Sequence, residues 1–328
     1  MLPKADMHVH LEGTMAPDIT KRIADRNGLQ LKPGLLAASG AHFQWEDDGT
    51  AQGALMSFCN AYDDVAGVLR TVDDYADITY DYLHRVAGEG CIYAEISISA
   101  DHALQVGLTY PQLLEGVTRG YEKAKQESGI EARFLSTFVR HYGVEKALNA
   151  AKLTHDNPHP LVTGLNIAGD ENALTFDDFI PAYEAAGALH RTAHAGEAAG
   201  PESVRAARKA YSCKRFGHMV RAIEDENLMK ELIALGAAPE VCVSSNMVLK
   251  VFPDYKSHPL RRFFDAGLKV SLGSDDPAFF STSIGQEYDI ARDHFGFHDD
   301  ELLQLTKNAI ETAFVDEDTR ADLQRRLG

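Results

Sequence analysis

The chain has 328 residues, of which 45% are hydrophobic, so it can bury a substantial core as two domains or as one large one. Its formal net charge of −17 argues against a nucleic-acid partner, because affinity for phosphate backbones comes largely from basic residues that displace counterions. The N-terminus lacks a signal-peptide pattern, the four cysteines are scattered, and no apolar run approaches the ~20 residues that span a bilayer, so we expect a cytoplasmic protein with no membrane partner.

Short β-rich segments alternate with helical segments along most of the chain. Strands are predicted over residues 4–8, 92–98, 132–138, 161–167, 189–194, 213–218, 239–245 and 268–276. Helices are predicted over residues 110–127, 144–153, 176–186, 202–210, 225–235, 259–266 and 299–327. Such alternation is typical of a parallel sheet, and eight strand–helix units close naturally into an α/β fold of the (β/α)8 TIM-type barrel. A doubly wound open sheet is the alternative.

The stretch over residues 29–83 breaks this alternation. Residues 33–42 and 47–53 have a loop-like composition, and residues 62–83 have a helical pattern. In a barrel this segment follows the first strand, on the side where ligands bind. We therefore predict a helical lid after the first strand of a single domain that spans residues 1–328, since no linker marks a second domain.

The first predicted strand leads into two histidines and a glutamate. Alternate residues of a strand point to the same face, so His8 and His10 can present two imidazole nitrogens to one ion. Alone, this pair is more often structural than metal-binding. Glu12 adds a carboxylate directly after the strand.

Three other predicted strands also end in side chains that bind metals or move protons. These are His194 and Glu197 after the fifth strand, His218 after the sixth, and Asp275 and Asp276 after the eighth. Alone, each has an ordinary explanation, and two aspartates before a proline also fit a helix start. Barrel active sites are built from such strand ends, so the coincidence predicts one site there. Three histidines and one carboxylate around an ion that keeps a water form a plausible catalytic Zn²⁺ set, with one zinc per chain.

The motifs MHVHLEG, GLNIAGDE, HAGE, GH followed by VRA, SSN and SLGSDDP resemble those of the adenosine deaminase family of the amidohydrolase superfamily, in the same order and over nearly the whole chain. The resemblance implies a (β/α)8 barrel with a zinc-binding set of four residues, namely His8, His10, His194 and Asp275. It implies that Glu197 protonates purine N1 and that His218 orients or deprotonates the water on the metal. It further implies substrate contacts from His10, from Glu12, from Asp276 to N7 and from a backbone N–H near Gly169 to N3.

The predicted reaction is hydrolytic deamination of adenosine and 2′-deoxyadenosine to the inosine products, with release of ammonia. One departure bears on the substrate: Glu12 stands where these enzymes commonly carry a shorter aspartate that meets the ribose. A longer carboxylate either reaches a ribose hydroxyl or closes the ribose pocket, so deamination of adenine or of an N6-substituted purine is the alternative. Met219 in place of a glycine and Val243 in place of a proline are smaller departures.

Two other classes of protein compete with this interpretation. Many related amidohydrolases bridge two metals with a carboxylated lysine, but no lysine ends the fourth predicted strand. A non-catalytic, zinc-stabilised binding module has no need of Glu197 or His218. The remaining histidines, among them His102, His141 and His258, are predicted to have surface or core roles away from the strand ends. Some aromatic residues near the predicted lid can cover a purine face, and others belong to the core: Phe43, Trp45, Phe58 and Tyr62.

Overall fold

A computed structural model describes residues 1–46 and 51–328. Parallel strands form the centre of the molecule. Within the described residues they are β1 (Lys4–His10), β2 (Cys91–Ile98), β3 (Glu131–Val139), β4 (Val162–Ala168), β5 (His190–Arg191), β6 (His194–Ala195), β7 (Arg215–His218), β8 (Ala238–Val241) and β9 (Ser271–Leu272).

These strands close into a ring. Their order is β1-β2-β3-β4-β5 in one sheet and β6-β7-β8-β9 in the other, and β5 and β6 are two pieces of the fifth predicted strand. The ring closes after β9, where the Asp275 N–H donates to the His8 carbonyl at 2.8 Å and the His10 N–H donates to the Asp275 carbonyl at 2.9 Å. An open sheet leaves its first and last strands apart, so these bonds confirm the predicted barrel.

Helices surround the strands. They are α1 (Pro17–Arg26), α2 (Ala51–Ala66), α3 (Val72–Gly88), α4 (Ala100–Gln105), α5 (Tyr110–Ser128), α6 (Val144–Asp156), α7 (Ile180–Ala185), α8 (Pro201–Tyr211), α9 (Glu226–Leu235), α10 (Val243–Val248), α11 (Leu260–Asp265), α12 (Pro277–Phe280), α13 (Ile284–Phe295), α14 (Asp299–Thr312) and α15 (Glu317–Arg325). Short 3-10 helices cover Glu12–Thr14, Arg140–Tyr142, Asp177–Phe179 and Val220–Glu224. Over the part of the chain that is described, no helix combines the length and apolar character needed to cross a bilayer.

Local capping explains where two predicted helices are divided. The helical pattern over 62–83 is interrupted because Thr71 caps α3 through a reciprocal pair of hydrogen bonds with Asp74. The tail predicted as one helix is also two, since Asp316 accepts a hydrogen bond from the Thr319 N–H and starts α15.

Two predicted boundaries are corrected, and helices absent from the sequence prediction are added. Ala51, Gln52 and Gly53 of the predicted loop lie in α2, whereas residues 47–50 lie outside the described residues. The seventh predicted strand, 239–245, ends at Val241, and its last residues begin α10. Helices α1 and α13 were not predicted, because each falls in a stretch interpreted as connection between clearer signals. Helices α2 and α3 fill the insertion after β1, and a lid function for them stays a prediction.

Candidate active site

Four side chains with metal-binding atoms meet at the C-terminal end of the barrel. Their ligand atoms, from His8, His10, His194 and Asp275, all lie within 4.8 Å of one another. The Nε2 atom of His194 is 3.0 Å from that of His8 and 3.2 Å from that of His10. Oδ1 of Asp275 is 3.6 Å and 3.5 Å from the Nε2 atoms of the same two residues. The structure thus brings together the predicted zinc-binding set.

The hydrogen bonds around these rings fit a cation. The Nδ1 atom of His8 is 2.9 Å from Glu240 Oε2, and that of His194 is 3.3 Å from Asn166 Oδ1, so both Nδ1 atoms donate. The two Nε2 atoms then carry lone pairs that face each other, and these lone pairs repel unless a positive charge lies between them. Burial lowers the pKa of His8, but Glu240 and Asp275 outweigh burial and raise it. The surroundings of the His8 ring therefore favour a positive charge there. Zinc suits such a set of nitrogen and oxygen donors.

A buried ion network holds His8 in place from inside the barrel. Glu240 accepts hydrogen bonds from Arg215 Nε at 2.8 Å and from Thr192 Oγ1 at 3.3 Å, and Arg215 also pairs with Glu95 at 2.8 Å. Burial raises the pKa of Glu240, but the charge of Arg215 and the bond to His8 outweigh it and lower the pKa. Glu240 therefore stays ionised and can orient a metal-binding imidazole. The sequence interpretation missed this residue.

Asp6 positions the aspartate of the cluster from a neighbouring strand. Its carboxylate accepts hydrogen bonds from Ser274 N–H at 3.1 Å, Ser274 Oγ at 2.5 Å and Tyr82 OH at 2.8 Å. Asp275 follows directly with φ of 60°, a left-handed conformation that costs most residues energy but that aspartate adopts more readily than most. The Asp6 bonds fix the backbone that turns Asp275 toward the histidines.

Glu197 lies next to the cluster as a buried acid. Burial raises the pKa of Glu197 well above its usual range, and the negative charges of Asp275 and Glu171 raise it further. The residue Glu197 is 7% exposed, and its Oε1 has no hydrogen-bond partner among the described residues. A neutral, unpaired carboxyl group of this kind can donate a proton to a ligand.

Glu171 fixes the loop that carries Glu197. Its carboxylate accepts hydrogen bonds from the N–H groups of Gly196 at 2.5 Å, Glu197 at 3.1 Å and Ala199 at 2.7 Å. Gly196 has φ of 72°, which glycine adopts without strain, so the chain turns sharply between His194 and Glu197. Glu171 lies far from this loop in sequence, and only the conformation reveals its role.

His218 is oriented by a relay of buried side chains. His258 accepts the Leu260 N–H at Nδ1, so its Nε2 donates to Asn246 Oδ1 at 3.1 Å. The amide of Asn246 then donates to His218 Nδ1 at 3.4 Å, which leaves a proton on His218 Nε2. That atom is 3.5 Å from Glu197 Oε2. His258 has the predicted core location, but its contact with the site was not foreseen.

A cavity adjoins the cluster. Its lining includes every residue predicted to contact substrate, namely His10, Glu12, Gly169 and Asp276. His102 and His141 also line it, contrary to their predicted placement away from the site. Among the aromatic residues, Phe58 and Tyr62 line the cavity. Phe43 stacks on Phe279 and Trp45 packs against Phe58, outside this lining.

Gly169 exposes its backbone to the cavity. Its φ is 90°, and a Cβ atom there would lie 2.6 Å from His141 Nδ1. Only glycine fits this combination of conformation and close contact. The peptide is therefore open to a flat ligand.

Glu12 lies inside the same cavity, at the start of the short 3-10 helix Glu12–Thr14 that follows β1. It is 1% exposed, and its Oε2 accepts a hydrogen bond from Tyr62 OH at 2.9 Å. Burial raises the pKa of Glu12, and the nearby His102 counteracts this shift. The longer side chain thus points into the space beside the ligand and is held there.

The two smaller departures have local explanations. Met219 adopts φ of 60°, so the left-handed turn is kept at a cost of about 1 kcal/mol relative to glycine. The Val243 N–H donates to Glu287 Oε2 at 2.9 Å, a bond that proline cannot make. Neither change disturbs the cluster.

Comparison with known proteins gives a consistent picture. The sequence model of the adenosine deaminase family matches residues 3–327. An adenine deaminase of Rhizobium leguminosarum bv. trifolii is 42% identical over 328 residues, covering 99% of each chain. The crystal structure of an adenine deaminase from Arthrobacter aurescens superposes with a TM-score of 0.89 at 26% identity, covering 100% of this chain and 98% of that one. An amidohydrolase from Burkholderia ambifaria with bound zinc has the same fold, with a TM-score of 0.87 at 24% identity over 99% of this chain and 89% of that one.

Proposed function

The chain belongs to the adenosine deaminase family and is a hydrolytic deaminase acting on a purine C–N bond, and from that premise we propose that its substrate is adenine. The reaction converts adenine and water to hypoxanthine and ammonia. The relatives named adenine deaminase favour this alternative over the adenosine and 2′-deoxyadenosine predicted from the motifs.

Glu12 is the observation that carries the choice of substrate. Its carboxylate lies in the cavity, buried and bonded to Tyr62, at the position where the family resemblance expects an aspartate that meets ribose. The glutamate is one methylene longer than that aspartate, so it takes up space that a ribose needs. A free base has no sugar to accommodate.

The residues of the cluster fit zinc, which His8, His10, His194 and Asp275 would hold. When bound, zinc supplies Lewis acidity that makes a water nucleophilic near neutral pH. A non-catalytic zinc module is inconsistent with the buried, unpaired acid of Glu197 beside the cluster.

The chain's own residues then direct the chemistry at the purine ring. Glu197, in its acid form, gives its proton to N1, which makes C6 electron-poor and open to attack by water. His218 donates from Nε2 toward the attacking oxygen and keeps it directed at C6. Of the two protons of the water, one leaves with the amino group as ammonia and the other restores the acid form of Glu197, while N1 keeps the proton it received and C6 becomes a carbonyl carbon. Asp276 binds N7, the Gly169 N–H binds N3, and His10 and Glu12 complete the substrate contacts.

The test is a substrate comparison with zinc-loaded protein. Ammonia release and ultraviolet absorbance are followed with adenine, adenosine, 2′-deoxyadenosine and N6-methyladenine. We expect turnover of adenine at least 100-fold above both nucleosides in kcat/KM, lost after chelation and restored by Zn²⁺. Faster turnover of a nucleoside or of the N6-substituted base would overturn the choice of adenine.

A further inference from the structure

The wall of the cavity that carries Glu12 contains a second buried polar atom without a partner. Within the described residues, neither Glu12 Oε1 nor His102 Nδ1 makes a hydrogen bond, although both side chains are at least 95% buried. The two atoms are 3.9 Å apart, and both residues line the cavity. An unpaired buried polar atom is costly, so such atoms normally meet a ligand or a water.

Each of these two side chains is fixed by its other polar atom. Tyr62 OH donates to Glu12 Oε2 at 2.9 Å. His102 Nε2 is 3.1 Å from Asp63 Oδ1, and Tyr142 OH donates to the same oxygen at 2.6 Å. The carboxylate of Asp63 therefore holds the ring of His102 by Nε2 and turns Nδ1 toward Glu12.

The charges agree with this orientation. Burial lowers the pKa of His102, but the hydrogen bond to Asp63 and the charges of Glu12 and Asp63 outweigh burial and raise it. A protonated ring carries a hydrogen on Nδ1 that faces Glu12 Oε1. The ring of His102 thus presents Nδ1 to Oε1 of Glu12 across 3.9 Å.

Adenine and its nucleosides differ at one ring atom, N9, which carries a hydrogen in the base and a carbon in the nucleoside. An enzyme selective for the base needs a buried acceptor for that hydrogen. Three unpaired carboxyl oxygens line the cavity, on Glu12, Glu197 and Asp276. Glu197 lies beside the metal cluster, with its Oε2 3.5 Å from His218 Nε2. Asp276 directly follows Asp275 of the cluster in the sequence. Both carboxyl groups therefore belong to the metal side of the cavity. Glu12 Oε1 is the remaining unpaired oxygen, and Tyr62 holds its carboxylate in place through Oε2.

Resting on the proposed adenine deaminase activity, we propose that Glu12 Oε1 accepts the N9–H of the free base and that His102 positions this carboxylate through its Nδ1 atom. His102, held by Asp63, is then a positioning residue that sets the preference for the base. It acts through Glu12 and has no contact with the reacting carbon.

The experiment compares adenine with 9-methyladenine, which lacks the N9 hydrogen but adds only one carbon. For the wild type we expect kcat/KM on adenine to exceed that on 9-methyladenine by about 100-fold. His102→Gln can retain a donor to Asp63 but removes Nδ1. We expect it to lower the adenine to 9-methyladenine ratio at least tenfold, mainly through KM for adenine, with the melting temperature unchanged.

A double variant separates positioning from a merely structural role. If His102 acts through Glu12, adding His102→Gln to Glu12→Gln leaves the substrate ratio unchanged, whereas independent effects multiply. Asp63→Asn, which weakens the anchor from a partly exposed position, repeats the test should His102→Gln not fold. His159→Asn, on a partly exposed histidine outside the cavity, is the matched control and should keep the wild-type ratio.

The possible failures are distinguishable. Absence of adenine turnover by the wild type would overturn the proposed function and this inference with it. Turnover of adenine with equal use of 9-methyladenine would overturn the inference alone, as would an unchanged ratio in both His102→Gln and Asp63→Asn.

Discussion

Two walls of the cavity are built in different ways. The metal wall consists of side chains at strand ends, namely His10, His194, His218 and Asp275, with His8 of the metal-binding set behind them. The helix wall consists of side chains on helices between strands, namely Glu12, Tyr62, Asp63 and His102. The metal wall is anchored to the barrel interior through partners such as Glu240 and Asn166, whereas the helix wall is held by bonds among its own members and to Tyr142.

This difference separates the reaction from the choice of substrate. The residues that anchor the metal wall also hold the strands in place, so changing one of them disturbs the barrel. We therefore expect the side chains of this wall to tolerate few substitutions. The helix wall can change its side chains while the strands stay in place. We expect substitutions near the metal wall to affect rate or metal binding, and those in the helix wall to affect which purine is used.

The largest effect is expected beside the metal wall, at Glu197. Glu197→Gln removes the acid that we propose protonates N1, so kcat should fall about 1,000-fold. The zinc content should remain one per chain, because Glu197 is outside the cluster. Glu202→Gln, on the exposed start of α8, serves as the control. Activity within tenfold of the wild type would contradict the role of Glu197.

The next effect concerns the anchor of the metal wall. Glu240→Gln removes the negative charge that orients His8, while Arg215 loses one of its two carboxylate partners. We expect zinc affinity to fall 10- to 100-fold, measured by competition with a chelator. Glu231→Gln, in an ion pair on the surface, should leave zinc affinity unchanged. Equal affinities of the wild type and Glu240→Gln would show that the buried network serves the fold alone.

A smaller effect is expected in the helix wall. Glu12→Asp shortens the carboxylate and draws it back from the ligand space. The ratio of kcat/KM for adenosine over adenine should rise about tenfold, with zinc content unchanged. A drop in activity on all substrates without any change in this ratio would assign Glu12 to the fold rather than to substrate choice.

The smallest expected effect is on the free energy of unfolding, through Glu287 of α13, which contacts the start of α10. Glu287 accepts the Val243 N–H at the start of α10, which carries Asn246, and burial raises the pKa of Glu287 to about 7. Because the folded-state pKa lies above the unfolded value, this group favours folding below about pH 4.5, and that contribution is lost as the pH rises through 7.

Glu287→Gln does not titrate, so it isolates this contribution. Relative to the wild type, the melting temperature of the variant should rise by a few degrees between pH 5 and pH 8, followed by circular dichroism. A difference between the two proteins that stays constant with pH would mean that Glu287 is ionised in the fold throughout this range.

The same contrast explains what could be predicted from sequence. The barrel and the metal wall were predictable, because strand–helix alternation is a local signal and the C-terminal ends of parallel strands must meet. His8 and His10 form a short motif, and Asp275 is the first of two aspartates before a proline at a strand end. Each could be placed from its own neighbourhood.

The supporting residues give a weaker signal. Asn166 and Glu171 belong to the motif GLNIAGDE, but the motif does not say which groups they bind. Glu240 is a single glutamate in a strand, which has many ordinary uses, and it reaches His8 from a strand that is distant in sequence. His102 was assigned to the core or surface because no spacing relates it to Glu12. Only the fold, which places the 3-10 helix Glu12–Thr14 after β1 next to α4 after β2, brings the two together.

The bonds that close the barrel join the two ends of the chain, and the metal-binding residues come from both ends. A complete metal-binding set therefore requires that the barrel has closed. Asp6 binds Ser274, 268 positions away, and the neighbouring Asp275 forms backbone hydrogen bonds with His8 and His10 of β1. Contacts between such distant residues form slowly, because a long loop must close first. During refolding, metal uptake should therefore lag behind helix formation. A metal ion held by His8, His10 and Asp275 would link the two ends of the chain, and the free energy of unfolding would rise with the logarithm of its concentration.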